Sequence, residues 1–285
     1  ISFELNFWRK RAITYVFPLI MFLLSLVLLT AENVSLGTDV VYRNSPYSLL
    51  MLYYVFSMFL PLFVNSIVSS GVTRDYEFNF DQILYSSPVS RNKILIGRFI
   101  GGFIVVSFLF VGVLIADIIS PLMPWADAEL LGPLRIDSHI QNYFMVALPN
   151  IFIIGSILFL ISTWTKNTNQ SFMAAIAIVV IFMSFQSLNE KIDNKTIAAL
   201  IDPFGIMPIF YYTKKWTALE KNTMLYEVDW KYFANRAIWG LFSLGLWFLA
   251  LKSFSLKFLQ KKFSKKEKVQ SSAKTAKLNI PETNK

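Results

Sequence analysis

Six long stretches of this chain hold no Asp, Glu, Lys, Arg or His: Ala12 to Ala31, Asn44 to Thr73, Phe99 to Ala116, Ile140 to Thr165, Asn167 to Asn189 and Ala237 to Leu251. A helix crosses the hydrocarbon of a bilayer with ~20 apolar residues, and ~17 to 25 is the usual range. Five runs meet that length. The sixth does so once Arg236 and Lys252 extend toward the headgroups from its ends. The pattern predicts an all-α integral membrane protein, a six-helix bundle with spans at about 12–31, 48–72, 98–120, 141–165, 171–188 and 235–252.

The connecting segments have patterns of their own. Ile1, Leu5 and Trp8 share a helical stripe, with Phe3 and Phe7 nearby and Arg9, Lys10 and Arg11 closing the segment. It reads either as a short helix lying in the interface or as an extension of the first span. The second span carries Pro61, whose missing amide hydrogen predicts a kink, and Asn65, Ser66, Ser69 and Ser70 in its later half. Such residues serve interhelical hydrogen bonding, with a substrate path as the other reading. After it, Tyr76, Phe80, Ile83 and Leu84 fall at i, i+4, i+7 and i+8, one face of a helix, while Asp75, Glu77 and Asp81 occupy much of the rest. An amphipathic helix ended by Ser86-Ser87-Pro88 follows, either a docking surface for a soluble partner or a solvated connector. Gly97 and Gly101 give the third span a small-xxx-small spacing that allows close helix approach. Pro149-Asn150 predicts a kink in the fourth span. Thr196 to Tyr212 is apolar but broken at Asp202-Pro203, Gly205 and Pro208, so short interfacial or partly re-entrant helices are expected before the last span. Residues 1–258 form the membrane domain, and the Lys-, Ser- and Thr-rich stretch 259–285 reads as a basic disordered tail or linker.

Charge orients the bundle. With the N-terminus inside, one side receives 18 basic and six acidic residues and the other nine basic and twelve acidic. Lys and Arg are retained in the cytoplasm during insertion, so both termini are predicted cytoplasmic in a bacterial inner membrane. The net charge of +9 would point to nucleic acid in a soluble protein, but hydrophobic residues make up 55% of this one. No nucleic-acid partner is expected. Inner-leaflet lipid is the natural partner of Lys261, Lys262, Lys265, Lys266 and Lys268.

Catalytic chemistry has little to build on. There is no cysteine, and His139 is the single histidine, placed in an outer loop by this reading. A zinc hydrolase needs several converging ligands, which this segment lacks. No GxxxxGK followed by Ser or Thr is present, so nucleotide hydrolysis would fall to another polypeptide. Arg9-Lys10-Arg11 before an apolar run imitates a signal peptide, but the run is too long and more spans follow. The chain begins with Ile1, which reads as a processed product or a part of something longer.

Ordered along the chain are Asn44-Ser-Pro-Tyr47, Arg74-Asp-Tyr-Glu77, Leu84-Tyr-Ser-Ser-Pro-Val-Ser90, Gly97-Arg-Phe-Ile-Gly101, Asp202-Pro-Phe-Gly205, Trp216 to Thr223 and Asn235-Arg236. In that order they resemble the ABC-2 type permeases, most closely the permease part of bacterial proteins fused to a zinc aminopeptidase. The resemblance implies a six-span half-transporter with an interfacial N-terminal helix and a coupling helix over Asp75 to Ser87. That helix docks on an ATP-binding cassette ATPase subunit, which would hold ATP and Mg; this chain would hold no cofactor. The coupling residues it implies are Asp75, Tyr76, Glu77, Phe80, Asp81, Ile83 and Leu84, with the acids pairing basic residues at the rim of the partner. A second permease bundle, identical or not, would complete the path, and export of a cargo that the sequence does not name is the expected activity.

The residues bear on two other function classes. An ion-coupled carrier normally has an ionisable residue within the membrane. No span has one in its middle, and Asp117, near the outer end of the third, reads as interfacial. The alternative is a membrane anchor for a larger aminopeptidase fusion, with the segment itself not an enzyme.

Overall fold

The computed structural model describes residues 1–31, 40–80, 90–189 and 192–253, and helices make up the regular structure of these residues, with no strand. A short helix, α1 (Ser2–Arg9), precedes α2 (Ile13–Thr30). Then come three long helices, α3 (Pro46–Glu77), α4 (Asn92–Leu122) and α5 (Ile136–Thr165). α6 (Thr168–Asn189) follows, then the short α7 (Lys195–Ile201), α8 (Ile206–Thr213) and α9 (Ala218–Thr223), and finally α10 (Trp230–Ser253). Six of them, α2 to α6 and α10, are long and apolar enough to cross a membrane. The fold is an all-α membrane bundle.

Several helices continue through charges that bound the apolar runs. α3 runs on through Arg74, Asp75 and Glu77, α4 contains Arg98 and Asp117, and α10 begins before Lys231. Backbone hydrogen bonding does not stop where the hydrocarbon does, and several of these charges are paired, as described below. Local signals set the helix ends. Ser45 caps α3, its Oγ accepting the Ser48 amide at 3.1 Å, with Pro46 in the first turn. Asn194 caps α7 by accepting the amides of Thr196 and Ile197. Thr217 and Glu220 form a reciprocal capping box at α9.

The core is made by α3, α4 and α5, whose apolar windows are 67%, 61% and 61% buried, against 22%, 17% and 22% for α2, α6 and α10. Tyr53, Tyr54, Phe56, Phe110 and Phe159 are fully enclosed. Phe99 touches Phe159, Trp247 and Phe152 with ring centroids 5.2, 5.8 and 6.0 Å away, joining α4 to α5 and α10. The outer helices instead expose Leu23, Val27, Val180, Leu241 and Phe248. In water such a surface would drive association; around a bilayer-spanning bundle it is solvated by lipid tails.

α2 packs along the half of α4 that contains Gly112, where a Cβ would lie 2.5 Å from the Pro18 carbonyl oxygen and 3.0 Å from the Phe22 nitrogen. Both neighbours are backbone, so α2 itself would have to retreat. Gly112→Ala is expected to lower stability by ~1–3 kcal/mol through overpacking. Gly240→Ala, at a position with nothing within 4 Å of the added carbon, is expected to be neutral or mildly stabilising. Thermal unfolding of the two variants in the same detergent checks the contrast.

The polar residues late in α3 bond differently from the interhelical expectation. Ser66 donates to the Leu62 carbonyl and Ser70 to the Ser66 carbonyl, at 2.9 and 2.7 Å, both within the helix. Such back-bonding loosens a helix, and residues Asn65–Ser69 form a π turn. A second π turn, Tyr143–Ala147, precedes Pro149. Pro149 has no amide hydrogen for the Met145 carbonyl, which instead accepts from the Tyr232 hydroxyl of α10.

Candidate functional site

At the end of the bundle that carries α1, charged side chains from three helices are packed together out of solvent. Glu4 of α1, Asp75 of α3 and Arg98 of α4 are 3%, 5% and 5% exposed. Glu4 Oε1 accepts from the Arg74 guanidinium and lies 3.8 Å from Arg98 Nε. Arg98 also contacts the Asp75 carboxylate and donates to the Gly71 carbonyl. Two acids and two guanidinium groups leave the cluster with no net charge, the condition under which buried ions are tolerated. Phe7 shields it from one side, with the Arg74 guanidinium carbon 4.0 Å from its ring centroid.

The glycines of α4 make room for this arrangement. A Cβ on Gly101 would sit 2.5 Å from Glu4 Cβ, and one on Gly97 would sit 3.2 Å from the Ile1 nitrogen. Both therefore face α1 instead of another membrane-spanning helix, and they flank Arg98 on either side. Close approach of α1 is what brings Glu4 within reach of Arg98.

The expected amphipathic helix over Asp75 to Ser87 is not continuous. α3 ends at Glu77, and Asn79 takes the left-handed conformation with φ 53°. The Phe80 amide bonds back to the Asp75 carbonyl at 2.8 Å and the Asn79 amide to the Tyr76 carbonyl at 3.3 Å. That pair is a Schellman termination, which an asparagine can supply in place of glycine. Asp75, Tyr76 and Glu77 thus belong to the end of α3. Asp75 is corrected further: it is buried against Arg98 and is no rim residue. Glu77 and Phe80 are exposed, and Tyr76 lies 5.0 Å from the Lys166 ammonium, with which it forms a cation–π contact. Asp81, Ile83 and Leu84 lie outside the described residues. Glu77, Tyr76 and the turn from Lys166 to Asn169 border a cleft of about 260 Å³ beside the charge cluster.

Glu4, Arg74 and Arg98 carry no signal of their own in the apolar pattern. The spacing Gly97-Arg98-Phe-Ile-Gly101 announces a close contact around an arginine, but a single sequence does not tell which segment supplies the other side.

The opposite end of the bundle holds a second buried polar group. Asn235 of α10 donates to the carbonyls of Ala199 and Asp202, both at 2.7 Å, and of Leu200 at 3.2 Å. These are the last turn of α7 and the loop after it, whose carbonyls have no partner within a helix. Arg236 turns inward, not toward the headgroups, and donates to Asn150 Oδ1 of α5 at 2.9 Å and to the Pro203 carbonyl at 3.2 Å. Asp202 accepts the amides of Phe204 and Met207 at 2.9 and 2.8 Å. Burial raises its pKa, while the Met207 amide and the nearby Arg236 charge oppose the rise. Tyr54 closes the group by donating to the Gly205 carbonyl at 2.7 Å. Around it, Asn44 exchanges two hydrogen bonds with the Gly132 backbone, and Asn222 exchanges two with Val40 and Tyr42.

A family model described as ABC-2 family transporter protein matches residues 6–195, two thirds of the chain. The chain belongs to the ABC-2 transporter family. Comparison with curated proteins finds no match. Membership makes this protein a membrane transport component, the transmembrane subunit of an ABC transporter, and pairs it with an ABC ATPase subunit. Within this ABC-2 permease the matched region includes Arg74, Asp75, Arg98 and the Lys166 turn. It omits Glu4 and all of α10.

Proposed function

We propose that this permease is one half of an exporter in a bacterial cytoplasmic membrane, with both termini and the α1 end of the bundle on the cytoplasmic side. A second bundle completes the path. The ATPase docks on the segment that follows Glu77, where Phe80, Asp81, Ile83 and Leu84 supply apolar anchors and one charge, and it binds ATP and Mg. Glu77 and the Lys166 turn extend the contact. Export is the direction we assign, following the family resemblance, and inner-leaflet lipid holds the basic tail.

The observation that carries this reading is the neutral cluster of Glu4, Arg74, Asp75 and Arg98 at the root of that segment. It ties α1 to the ends of α3 and α4, so a displacement of the docking segment is passed to two core helices together. Interfaces of packed side chains shift between discrete arrangements, and an ATPase that binds two such arrangements unequally drives the change.

The test is to purify the tagged chain from native membranes in mild detergent, identify what copurifies and assay ATP hydrolysis. A cassette ATPase is expected, and Ile83→Asp with Leu84→Asp is expected to reduce its recovery at least tenfold, about 1.4 kcal/mol of binding. The Glu77→Lys variant is expected to weaken stimulation of hydrolysis without unfolding the bundle. Recovery of the ATPase undiminished by the double variant would overturn the docking site. Finding no ATPase, under conditions that keep a known transporter complex intact, would overturn the permease mechanism in favour of a membrane anchor within a larger fusion.

A further inference from the structure

Near the far end of the bundle, away from α1, three helices bring together titratable groups that the coupling mechanism does not use. Asp117 of α4 and His139 of α5 have side chains 0% and 4% exposed, and His139 Nε2 lies 2.9 Å from Asp117 Oδ2. The other ring nitrogen, Nδ1, is 3.4 Å from the hydroxyl of Tyr53 in α3. Neither residue is placed where the sequence pattern puts it: Asp117 is enclosed instead of interfacial, and His139 opens a membrane-spanning helix instead of lying in a loop.

Counting protons shows what this group can do. With Asp117 ionised and His139 neutral, the pair carries one negative charge in a position shielded from water, which is strongly disfavoured. One added proton, on either residue, brings the pair to zero. Asp117 Oδ1 is buried and has no hydrogen-bond partner, so half of the carboxylate is open to a further donor. Ser138 Oγ and Asn142 Nδ2, on the same first turns of α5, are likewise buried without a partner, and polar atoms in that condition are the usual hosts of internal water.

Among the described residues, the groups seen to face the pair are Tyr53 from α3 and Tyr143 from α5. Arg43, whose amide binds the Leu130 carbonyl in the α4–α5 connection, is buried before α3. Arg135 and Asp137, at the exposed start of α5, are taken up with each other at 2.7 Å. α2, packed along this half of α4, contains no Asp, Glu, Lys, Arg or His. The His139 ring also forms part of the wall of a cavity of about 220 Å³, with Tyr53, Phe110, Leu114, Ile140 and Phe144. Its lining is almost wholly apolar, and Val111, Ile140 and Phe144 leave it open on the flank of the bundle.

We propose that Asp117 and His139, with Tyr53 as the terminal hydrogen-bond partner, form a proton-binding site. In the packed arrangement the pair holds one proton and is neutral. On release the proton passes to water, the pair becomes singly negative, and the contact between α4 and α5 at this end is weakened. Conformations that open this end then release the proton more readily, and those that close it retain it, so the transport cycle depends on pH at this face. By linkage, whatever favours the closed form favours proton binding equally.

The chain has a single histidine, so selective isotope labelling yields one imidazole to observe. The experiment is an NMR titration of ¹⁵N-histidine-labelled full chain in lipid nanodiscs, with a tag free of histidine, from about pH 4 to 9. In the wild type one transition is expected, in which the ring changes from two protonated nitrogens to one. The Asp117→Asn variant, which removes the carboxylate beside the ring, is expected to move that transition measurably. His139→Gln is expected to remove a step of at least threefold from the pH profile of ATP hydrolysis by the assembled complex. A ring that keeps one form across the range, or that changes at the same pH in wild type and Asp117→Asn, would overturn the proposal. So would an unaltered pH profile in His139→Gln.

Discussion

Replacing Arg98 by alanine is expected to cost about 3–5 kcal/mol of stability, the usual consequence of stranding a buried charge by removing its partner. Arg98 is the cation beside Asp75, it donates to the Gly71 carbonyl, and it lies 3.8 Å from a Glu4 oxygen already held by Arg74. Its loss leaves the enclosed Asp75 carboxylate without its ion-pair partner, and the remaining nearby cation, Arg74, is already held by Glu4. Glu4 keeps Arg74, so the damage is concentrated where α3 meets α4. The Arg98→Met, Asp75→Leu double variant removes both charges and is expected to recover most of the loss, since apolar replacement of an entire buried pair is often neutral or better. Arg98→Lys is expected to fall between, because a single ammonium on a flexible stem does not reproduce a planar fork shared among three acceptors. Thermal unfolding of the purified chain in one detergent measures all three. Equal midpoints for wild type and Arg98→Ala would show that the cluster contributes nothing. The double variant has a second use: if stable but poorly stimulated in the ATPase complex, it assigns the charges to coupling over folding.

A comparable loss, about 2–4 kcal/mol, is expected from Asn235→Ala at the opposite end, estimated from two or three buried carbonyls left without a donor. The Asn235 amide nitrogen is aimed at the carbonyls of Ala199, Leu200 and Asp202, and its oxygen accepts from Arg236. It thereby fastens the end of α7 to α10, and through Arg236 it reaches Asn150 of α5. The isosteric Asn235→Asp is the sharper test. It preserves shape and the partner of Arg236, but turns a carboxylate oxygen toward three carbonyl oxygens. At neutral pH it is expected to be at least as destabilising as alanine, and to regain stability as the pH falls and the carboxyl becomes a donor. Unfolding midpoints of both variants across pH decide this, and an Asn235→Asp variant as stable as wild type at pH 7 would sink the account.

The motifs that carry the family resemblance are legible in this structure as points of attachment. Asn44 binds the Gly132 backbone, Thr217 and Glu220 cap α9, and Asn222 binds the segment at Val40 and Tyr42. Asp202-Pro-Phe-Gly205 and Asn235-Arg236, far apart in sequence, are two halves of one hydrogen-bonded group. Spacing alone marks these residues but sends Arg236 to the headgroups, because a charge at the end of an apolar run has no visible partner. The helix expected over Asp75 to Ser87 is interrupted near its start for a related reason, and its part from Asp81 lies outside the described residues. Tyr76 and Phe80 keep helical spacing on paper, but Asn79 accepts the left-handed turn that ends α3 between them.

By itself the sequence determined that the chain is an all-α membrane bundle, which segments are long and apolar enough to cross and where short helices interrupt. Those properties follow from hydrophobicity summed over neighbouring residues and from local capping chemistry, and each is complete within a window of about 20 residues. Only the tertiary structure decided which helices are enclosed and which polar groups meet. Glu4 and Arg74 are 70 residues apart and Asp117 and His139 are 22 apart, and in each case the contact depends on the relative rotation and height of different helices. That geometry is set by packing throughout the bundle, such as the room that Gly101 leaves for α1, and no local pattern encodes it.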